Sequence, residues 1–171
     1  MAEETETKQY TLSILVRNHA GVLFHVAGLF ARRGYNIESI TAGITERPDI
    51  TRITIVVTGD SRIMEQVIKQ CQKLVDVINV SSLKYNESVT RELAIIAVTA
   101  KPESRSRIIE IAGVFNADIV DMAEDALILE VVGNARNINS IIQLLSPFGI
   151  ETIARTGVVA LAYRSQIPPI N

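Results

Sequence analysis

The sequence runs twice through the same order of predicted elements, and this internal repeat constrains the fold more than any other feature. In the first half, strands are predicted at residues 10–16, 36–45, 51–58 and 75–85, with helices at residues 22–33 and from residue 61 to about residue 74. In the second half, strands are predicted at residues 92–100, 118–122, 126–132 and 150–163, with helices at residues 104–116 and after Asn134. The segment Gly59-Asp60-Ser61 and Asn134 can each cap the helix that follows. Both halves therefore have the order βαββαβ.

Two such halves predict an α+β protein of two tandem split-βαβ sandwiches, the ferredoxin-like arrangement, in which two helices cover one face of an antiparallel sheet. The polar segment YNESVTR at residues 85–91 marks the boundary, which predicts domains at residues 1–86 and 87–171. Strand segments such as ITIVV and IIAV are apolar on both faces. We therefore expect the sheets or their edges to pair with a second copy or another protein; the alternative is a monomer whose halves pack together.

Composition and charge argue against several classes of partner. A net charge of −2 gives no general attraction to nucleic acid or to anionic lipid. RNA-recognition modules share the βαββαβ order, but they stack bases on aromatic residues of their central strands, and TLSILV and TRITIVV contain none. No apolar run reaches the roughly 18 residues that span a bilayer, and the start MAEETETKQ is acidic. These features predict a cytoplasmic protein.

The inventory of reactive side chains predicts no catalytic residue and no metal site. His19 and His25 have no further ligand at metal-binding spacing, and the motifs of hydrolases, nucleotide-binding loops and zinc proteases are missing. Cys71 lies on the apolar stripe of a helix, which predicts an inert core residue. A carboxylate cluster could serve acid–base chemistry or cation binding, but its position in a strand-turn-strand favours solvated turn residues. It comprises Asp118, Asp121, Glu124 and Asp125.

The turn between the first strand and the first helix is the candidate binding site. A helix amino terminus presents unpaired N–H groups and favours a carboxylate, and Gly21 lets the backbone approach a ligand closely. Asn18 and Asn36 offer amide groups that could bind an ammonium. Together with the apolar neighbours Val22, Leu23 and Ile37, this chemistry suits a free amino acid. The alternative is structural: Asn18 only caps the helix, and Gly21 only permits the turn.

Several stretches resemble one protein family. They are VRNHAGVLFHVAGLFARRGYNIESI at residues 16–40, KLVDVINV at residues 73–80, RELAIIAV at residues 91–98 and LSPFGIETIARTGVVAL at residues 145–161. The first is similar to the ACT domain of the small regulatory subunit of acetolactate synthase, also called acetohydroxyacid synthase. The resemblance extends over residues 10–164 and assigns the ACT domain to the first half and a small-subunit type of ferredoxin-like domain to the second.

The resemblance implies a regulatory subunit with no active site and no cofactor of its own. Its partner would be a large catalytic subunit of branched-chain amino acid biosynthesis that carries thiamine diphosphate, Mg²⁺ and FAD. The small subunit would activate this partner and would mediate its feedback inhibition by an amino acid, typically valine. The family binds this effector between two copies in a homodimer. Carried over by motif, the effector-binding residues from one copy are Asn18, His19, Ala20, Gly21, Val22 and Leu23, with Asn36 and Ile37 from the other.

The sequence leaves two other functional hypotheses open. One is a stand-alone ACT-type amino-acid sensor that acts on another partner, and the other is an enzyme that uses the carboxylate cluster. The identity of the effector is also open, because a hydrophobic pocket separates side chains that differ by one methylene by only about 1–3 kcal/mol.

Overall fold

The first of two compact units in the computed structural model has the predicted βαββαβ order. The model describes residues 8–164, and this unit comprises residues 8–89 and 158–164. Its elements are β1 (Lys8–Arg17), α1 (Val22–Arg32), β2 (Ile37–Ile44), β3 (Ile50–Gly59), α2 (Ser61–Cys71) and β4 (Val77–Leu83). The strands form an antiparallel sheet in the order β2-β3-β1-β4. The predicted α+β class is confirmed for this half.

The core of the first unit lies between one face of this sheet and its two helices. Alternate residues of β1, namely Leu12, Ile14 and Val16, are fully buried, as expected for a strand with one face on the core. The largest helical side chain buried against them is Phe30 of α1. Cys71 of α2 is also fully buried, and loss of hydration raises the pKa of its thiol to about 11. The prediction that Cys71 is a core residue is confirmed.

The second unit, residues 90–157, repeats this arrangement. Its elements are β5 (Ser88–Thr99), which begins just before the unit, α3 (Pro102–Val114), β6 (Asp118–Met122), β7 (Ala126–Gly133), α4 (Ala135–Leu145) and β8 (Ile150–Arg155). Its sheet order, β6-β7-β5-β8, matches that of the first sheet position by position. The core contains Ile96, Leu129, Ile138 and Leu145, each fully buried. The predicted repeat is thereby confirmed.

The end of the chain differs from the prediction. The single strand predicted at residues 150–163 is wrong, because β8 ends at Arg155 and a separate strand, β9 (Val159–Ala162), follows Gly157, whose φ of 81° turns the chain. β9 groups with the first unit. There, Val158 N donates to Ser39 Oγ at 2.9 Å, and Tyr163 N donates to Glu87 O at 3.0 Å. The predicted boundary between residues 86 and 87 instead places residues 158–164 in the second domain.

Candidate functional site

The turn at residues 18–21 connects β1 to α1, and its backbone is set by Gly21. Gly21 is the residue that precedes the first helical turn, with φ 88° and ψ −10°, a left-handed conformation that glycine adopts without a steric penalty. A Cβ built on Gly21 would meet no heavy atom within 4 Å. The turn is therefore open in front of Gly21, and a small molecule can approach the backbone there.

The amino terminus of α1 has no capping side chain within the described part of the chain. The Val22 amide makes a long hydrogen bond of 3.4 Å to His19 O, and the first helical bond runs from His25 N to Gly21 O at 3.1 Å. The early N–H groups of a helix have no partner inside the helix. Within residues 8–164 the amides of Leu23 and Phe24 have no partner, and with the positive end of the helix dipole they are available to an anionic group.

Asn18 does not cap the helix, so that part of the structural alternative is wrong. Its Nδ2 donates to Pro48 O at 2.9 Å, and its backbone amide donates to Asp49 O at 2.8 Å. Both bonds tie the turn to the loop between β2 and β3. Asn18 Oδ1 accepts no hydrogen bond from any residue in the range 8–164, so the amide oxygen stays available to a donor such as an ammonium.

Two histidines meet one carboxylate beside the turn. His19 Nε2 lies 2.7 Å from Asp76 Oδ1, and His25 Nδ1 lies 3.1 Å from Asp76 Oδ2. His19 Nδ1 also lies 2.9 Å from Ala20 O. The Ala20 carbonyl and then the Asp76 carboxylate raise the pKa of His19 above its ordinary value of 6.5. The hydrogen bonds from His19 and then His25 lower the pKa of Asp76.

The other predicted effector residues divide into two places. Val22 is buried at the start of α1, whereas Ala20 and Leu23 are exposed beside it. Asn36 is exposed just before β2, and Ile37 is half-buried against the core. Because α1 has 11 residues that rise ~1.5 Å each, it separates Asn36 from the turn by about 16 Å. One chain therefore brings residues 18–23 together but leaves Asn36 and Ile37 at the opposite end of the helix.

A cavity of about 510 Å³ borders Asn18. Its walls come from β1, β3, β4 and the loop between β2 and β3: Leu15, Arg17, Thr45, Glu46, Arg47, Asp49, Ile50, Arg52 and Ile78. Asn18 is the one predicted effector residue in this wall. Arg47 is engaged with Asp49 at 3.0 Å, and Arg52 donates to Ser13 Oγ at 2.7 Å. Gly21 and the other predicted residues of the turn, 19–23, are not part of this wall.

The carboxylate cluster of the second unit does not converge on one point. Asp118 and Asp121 lie on β6, whereas Glu124 and Asp125 lie in the turn before β7. Arg105 of α3 holds this turn through its backbone: its Nη2 donates to Ala123 O at 2.8 Å and to Glu124 O. The arrangement fits the interpretation of these acids as turn residues.

The described residues contain no group of three or more His, Cys, Asp or Glu that could hold a metal ion. The two histidines beside the turn approach different oxygens of Asp76 and do not share a common point. Within residues 8–164 no helix is long and apolar enough to cross a bilayer.

Sequence reasoning missed Asp76 and His25 as neighbours of the turn. Asp76 is 57 residues from His19 along the chain, and the strand pairing of β1 with β4 is what brings them together. The available signal was the segment KLVDVINV, in which Asp76 stands alone as an acid just before β4. The contact between Asp76 and His19 can be assigned only when the register of β4 against β1 is known.

Comparisons with known proteins identify the family. The model for the AHAS small subunit-like ACT domain matches residues 12–79, and the model for the small subunit of acetolactate synthase matches residues 91–164. A probable acetolactate synthase small subunit of Archaeoglobus fulgidus is 50% identical over 153 residues, which cover 90% of this chain and 96% of that protein. An acetolactate synthase small subunit of Mycobacterium bovis is 44% identical over 155 residues, 91% of this chain and 92% of the relative.

A solved structure agrees over both units. The crystal structure of the acetolactate synthase small subunit from Thermotoga maritima superposes with a TM-score of 0.84 at 39% identity, and the match covers 91% of this chain and 97% of that one. The two family models together match residues 12–79 and 91–164. The alignments with the two relatives cover nearly the whole length of each relative. The chain therefore belongs to the acetolactate synthase small-subunit family, with an ACT domain in its first half.

Proposed function

We propose that this chain is the regulatory subunit of an acetolactate synthase, that it activates a large catalytic subunit, and that it confers feedback inhibition by a branched-chain amino acid, valine first. Family membership over both units supports the choice of partner. The observation that carries the choice of site is the open amino terminus of α1 at Gly21. Thiamine diphosphate, Mg²⁺ and FAD belong to the large subunit in this proposal.

The chemistry of the turn matches each part of a free amino acid. The uncapped N–H groups of α1 suit the carboxylate. Asn18 Oδ1 suits the ammonium, because Nδ2 of the same amide is already engaged with Pro48. Leu23, whose side chain is 43% exposed beside the turn, offers an apolar contact. A branched aliphatic side chain would cover this exposed surface.

Two copies are needed to complete the site. Asn36 and Ile37 lie about 16 Å from the turn of their own chain, so a second copy must supply these residues if they contact the same ligand. A two-fold pairing repeats every contact, so the turn of each copy would face Asn36 of its partner. The effector would thus report on the relative arrangement of two chains, as an allosteric coupling of about 1–3 kcal/mol requires.

Calorimetric titration with valine, leucine, isoleucine and lysine tests the site, with Asn36→Ala beside the natural protein. We expect saturable binding of a branched-chain amino acid and no heat with lysine. Loss of one ligand hydrogen bond should weaken binding about tenfold in Asn36→Ala. Activation of the large subunit should persist, because Asn36 is exposed and the described residues give its side chain no hydrogen bond. Loss of binding and activation together would assign Asn36 to the dimer contact instead.

Gly21 supplies a second test with its own control. Gly21→Asp places a negative charge where the ligand carboxylate should lie and should abolish valine inhibition. Gly21→Ala carries the same strain of a positive φ without the charge, and a Cβ there meets nothing within 4 Å. We expect Gly21→Ala to retain measurable valine inhibition. Full valine inhibition in Gly21→Asp would refute the assignment of the turn as the effector site. If the natural protein activates the large subunit but responds to no effector, the chain would be an activating subunit without feedback control.

A further inference from the structure

Both ring nitrogens of His19 face oxygen atoms that can only accept a hydrogen bond. Nδ1 lies 2.9 Å from the Ala20 carbonyl oxygen, and Nε2 lies 2.7 Å from Asp76 Oδ1. A neutral imidazole has one N–H donor and one acceptor nitrogen, so it can satisfy only one of these oxygens. The imidazolium donates to both. The geometry therefore selects the protonated form of His19.

The surroundings of His19 favour the same charge state. The short distance to Asp76 is typical of a charge-assisted hydrogen bond. The positive charge of Arg17, at the end of β1, acts in the opposite direction and is outweighed by Ala20 and Asp76. His25 of α1 faces the other oxygen of Asp76 through Nδ1, at 3.1 Å.

Asp76 connects the turn to the elements on both sides of it. Its side chain reaches His19 in the turn and His25 in α1, and its carbonyl oxygen accepts from Arg17 N at 2.9 Å. The Ala20 carbonyl, which the His19 ring holds, belongs to the residue directly before Gly21. Protonated His19 therefore fixes the backbone next to the open position, and it adds a positive charge beside the amino terminus of α1.

We propose that binding of the amino-acid effector at this turn is coupled to one proton on His19, with Asp76 as the positioning residue that holds the imidazolium in place. This inference rests on the proposed function, since the effector is the carboxylate-bearing ligand of the same turn. Neutral His19 must give up one of its two hydrogen bonds, so the turn loses one constraint and one positive charge. Effector affinity then falls as the pH rises.

The direction of the pH effect follows from the shifted pKa of His19. Because the folded protein raises this pKa, the stabilisation of the turn is fully present below the ordinary value of 6.5 and is lost as the pH rises through the raised pKa. For strict coupling to one proton, effector affinity falls about tenfold per pH unit above that pKa. The Asp76 carboxylate, whose pKa is lowered, stays ionised throughout this range.

Two measurements on the full-length protein test the coupling. The chain has two histidines, so their ring resonances can be assigned by NMR with His25→Gln and titrated without any ligand. We expect His19 to titrate above the ordinary histidine pKa and to return toward it in Asp76→Asn. Calorimetric titration with valine from about pH 5.5 to about pH 8.5 then measures the linkage, and buffers of different ionisation enthalpy report the protons taken up.

The expected result is a valine affinity that falls with rising pH in the natural protein and in His25→Gln, and a much flatter profile in His19→Gln and Asp76→Asn. A merely structural role of Asp76 would lower affinity equally at every pH. Valine binding of constant affinity across the range, or loss of the pH dependence in His25→Gln, would overturn this inference and leave the proposed function intact. Absence of valine binding at every pH would overturn this inference together with the assignment of the turn as the valine site.

Discussion

The second unit contains one ion pair with a deeply buried member, and it illustrates how single residues stabilise this chain. Glu92 of β5 is 5% exposed, and Arg155 at the end of β8 donates to both of its oxygens at 2.7 Å. Arg155 also donates to Asn139 Oδ1 of α4 at 3.2 Å. The guanidinium therefore forms a bidentate ion pair with the buried carboxylate of β5 and also connects β8 to α4.

We expect Arg155→Met to lower the free energy of unfolding by about 2–3 kcal/mol. The reason is that Glu92 would remain buried without a partner, and the loss stays below the roughly 3–5 kcal/mol of a fully buried pair because the Arg155 side chain is 37% exposed. Urea unfolding followed by circular dichroism at one protein concentration measures it. The matched control is Lys84→Met at the exposed Lys84–Glu87 pair, which should change stability by less than about 1 kcal/mol. Equal effects of both variants would contradict the argument.

The four α-helices within residues 8–164 differ in how their amino termini are capped. The Asp60 side chain accepts from Ile63 N at 2.7 Å before α2, and the Asn134 side chain accepts from Asn137 N at 2.9 Å before α4. Both caps agree with the sequence prediction. The residues before α1 and α3 make no side-chain cap. At α3, Pro102 in the first turn removes one N–H group that would otherwise lack a partner. At α1, the Leu23 and Phe24 amides have no partner within residues 8–164.

Asp60→Ala should destabilise the protein by about 1 kcal/mol, because the amide of Ile63 loses its acceptor at the start of α2. Lys101 precedes α3 without a capping bond and is the control position. Lys101→Ala should therefore leave the urea midpoint nearly unchanged. An equal loss of stability in the two variants would contradict the role of the Asp60 side chain as a helix cap.

The whole molecule presents an open strand edge in its first unit. β2 lies at the end of the sheet order, and its outer side carries no neighbouring strand within residues 8–164. Ile40 is 37% exposed on this strand and Ile44 is 66% exposed. An eight-residue edge strand with exposed apolar side chains is a surface on which a second copy can add its own strand. The same pairing would bring the end of α1 and Asn36 of one copy toward the other.

We expect the natural protein to sediment as a homodimer and Ile44→Lys to shift it toward monomer, since each end of the two-fold edge would then place a charge where an apolar side chain meets the partner. The side chain is exposed, so the fold should tolerate the lysine. Val132→Lys, at a 55% exposed position of β7 in the second unit, is the control and should remain dimeric. Analytical ultracentrifugation measures both. A dimeric Ile44→Lys variant would exclude this edge as the interface.

The sequence by itself determined the repeat, the α+β class, the helix caps at Asp60 and Asn134, and the core position of Cys71. Each rests on local spacing, because a period of two or 3.6 residues and a bond across three residues are visible within one segment. The tertiary structure decided contacts between distant segments. It pairs Asn18 with Pro48, 30 residues away, and His19 with Asp76, 57 residues away. It also returns Val158 to Ser39, 119 residues away. Such contacts depend on strand register and on where the chain turns, and these are properties of the packed sheet rather than of any one segment.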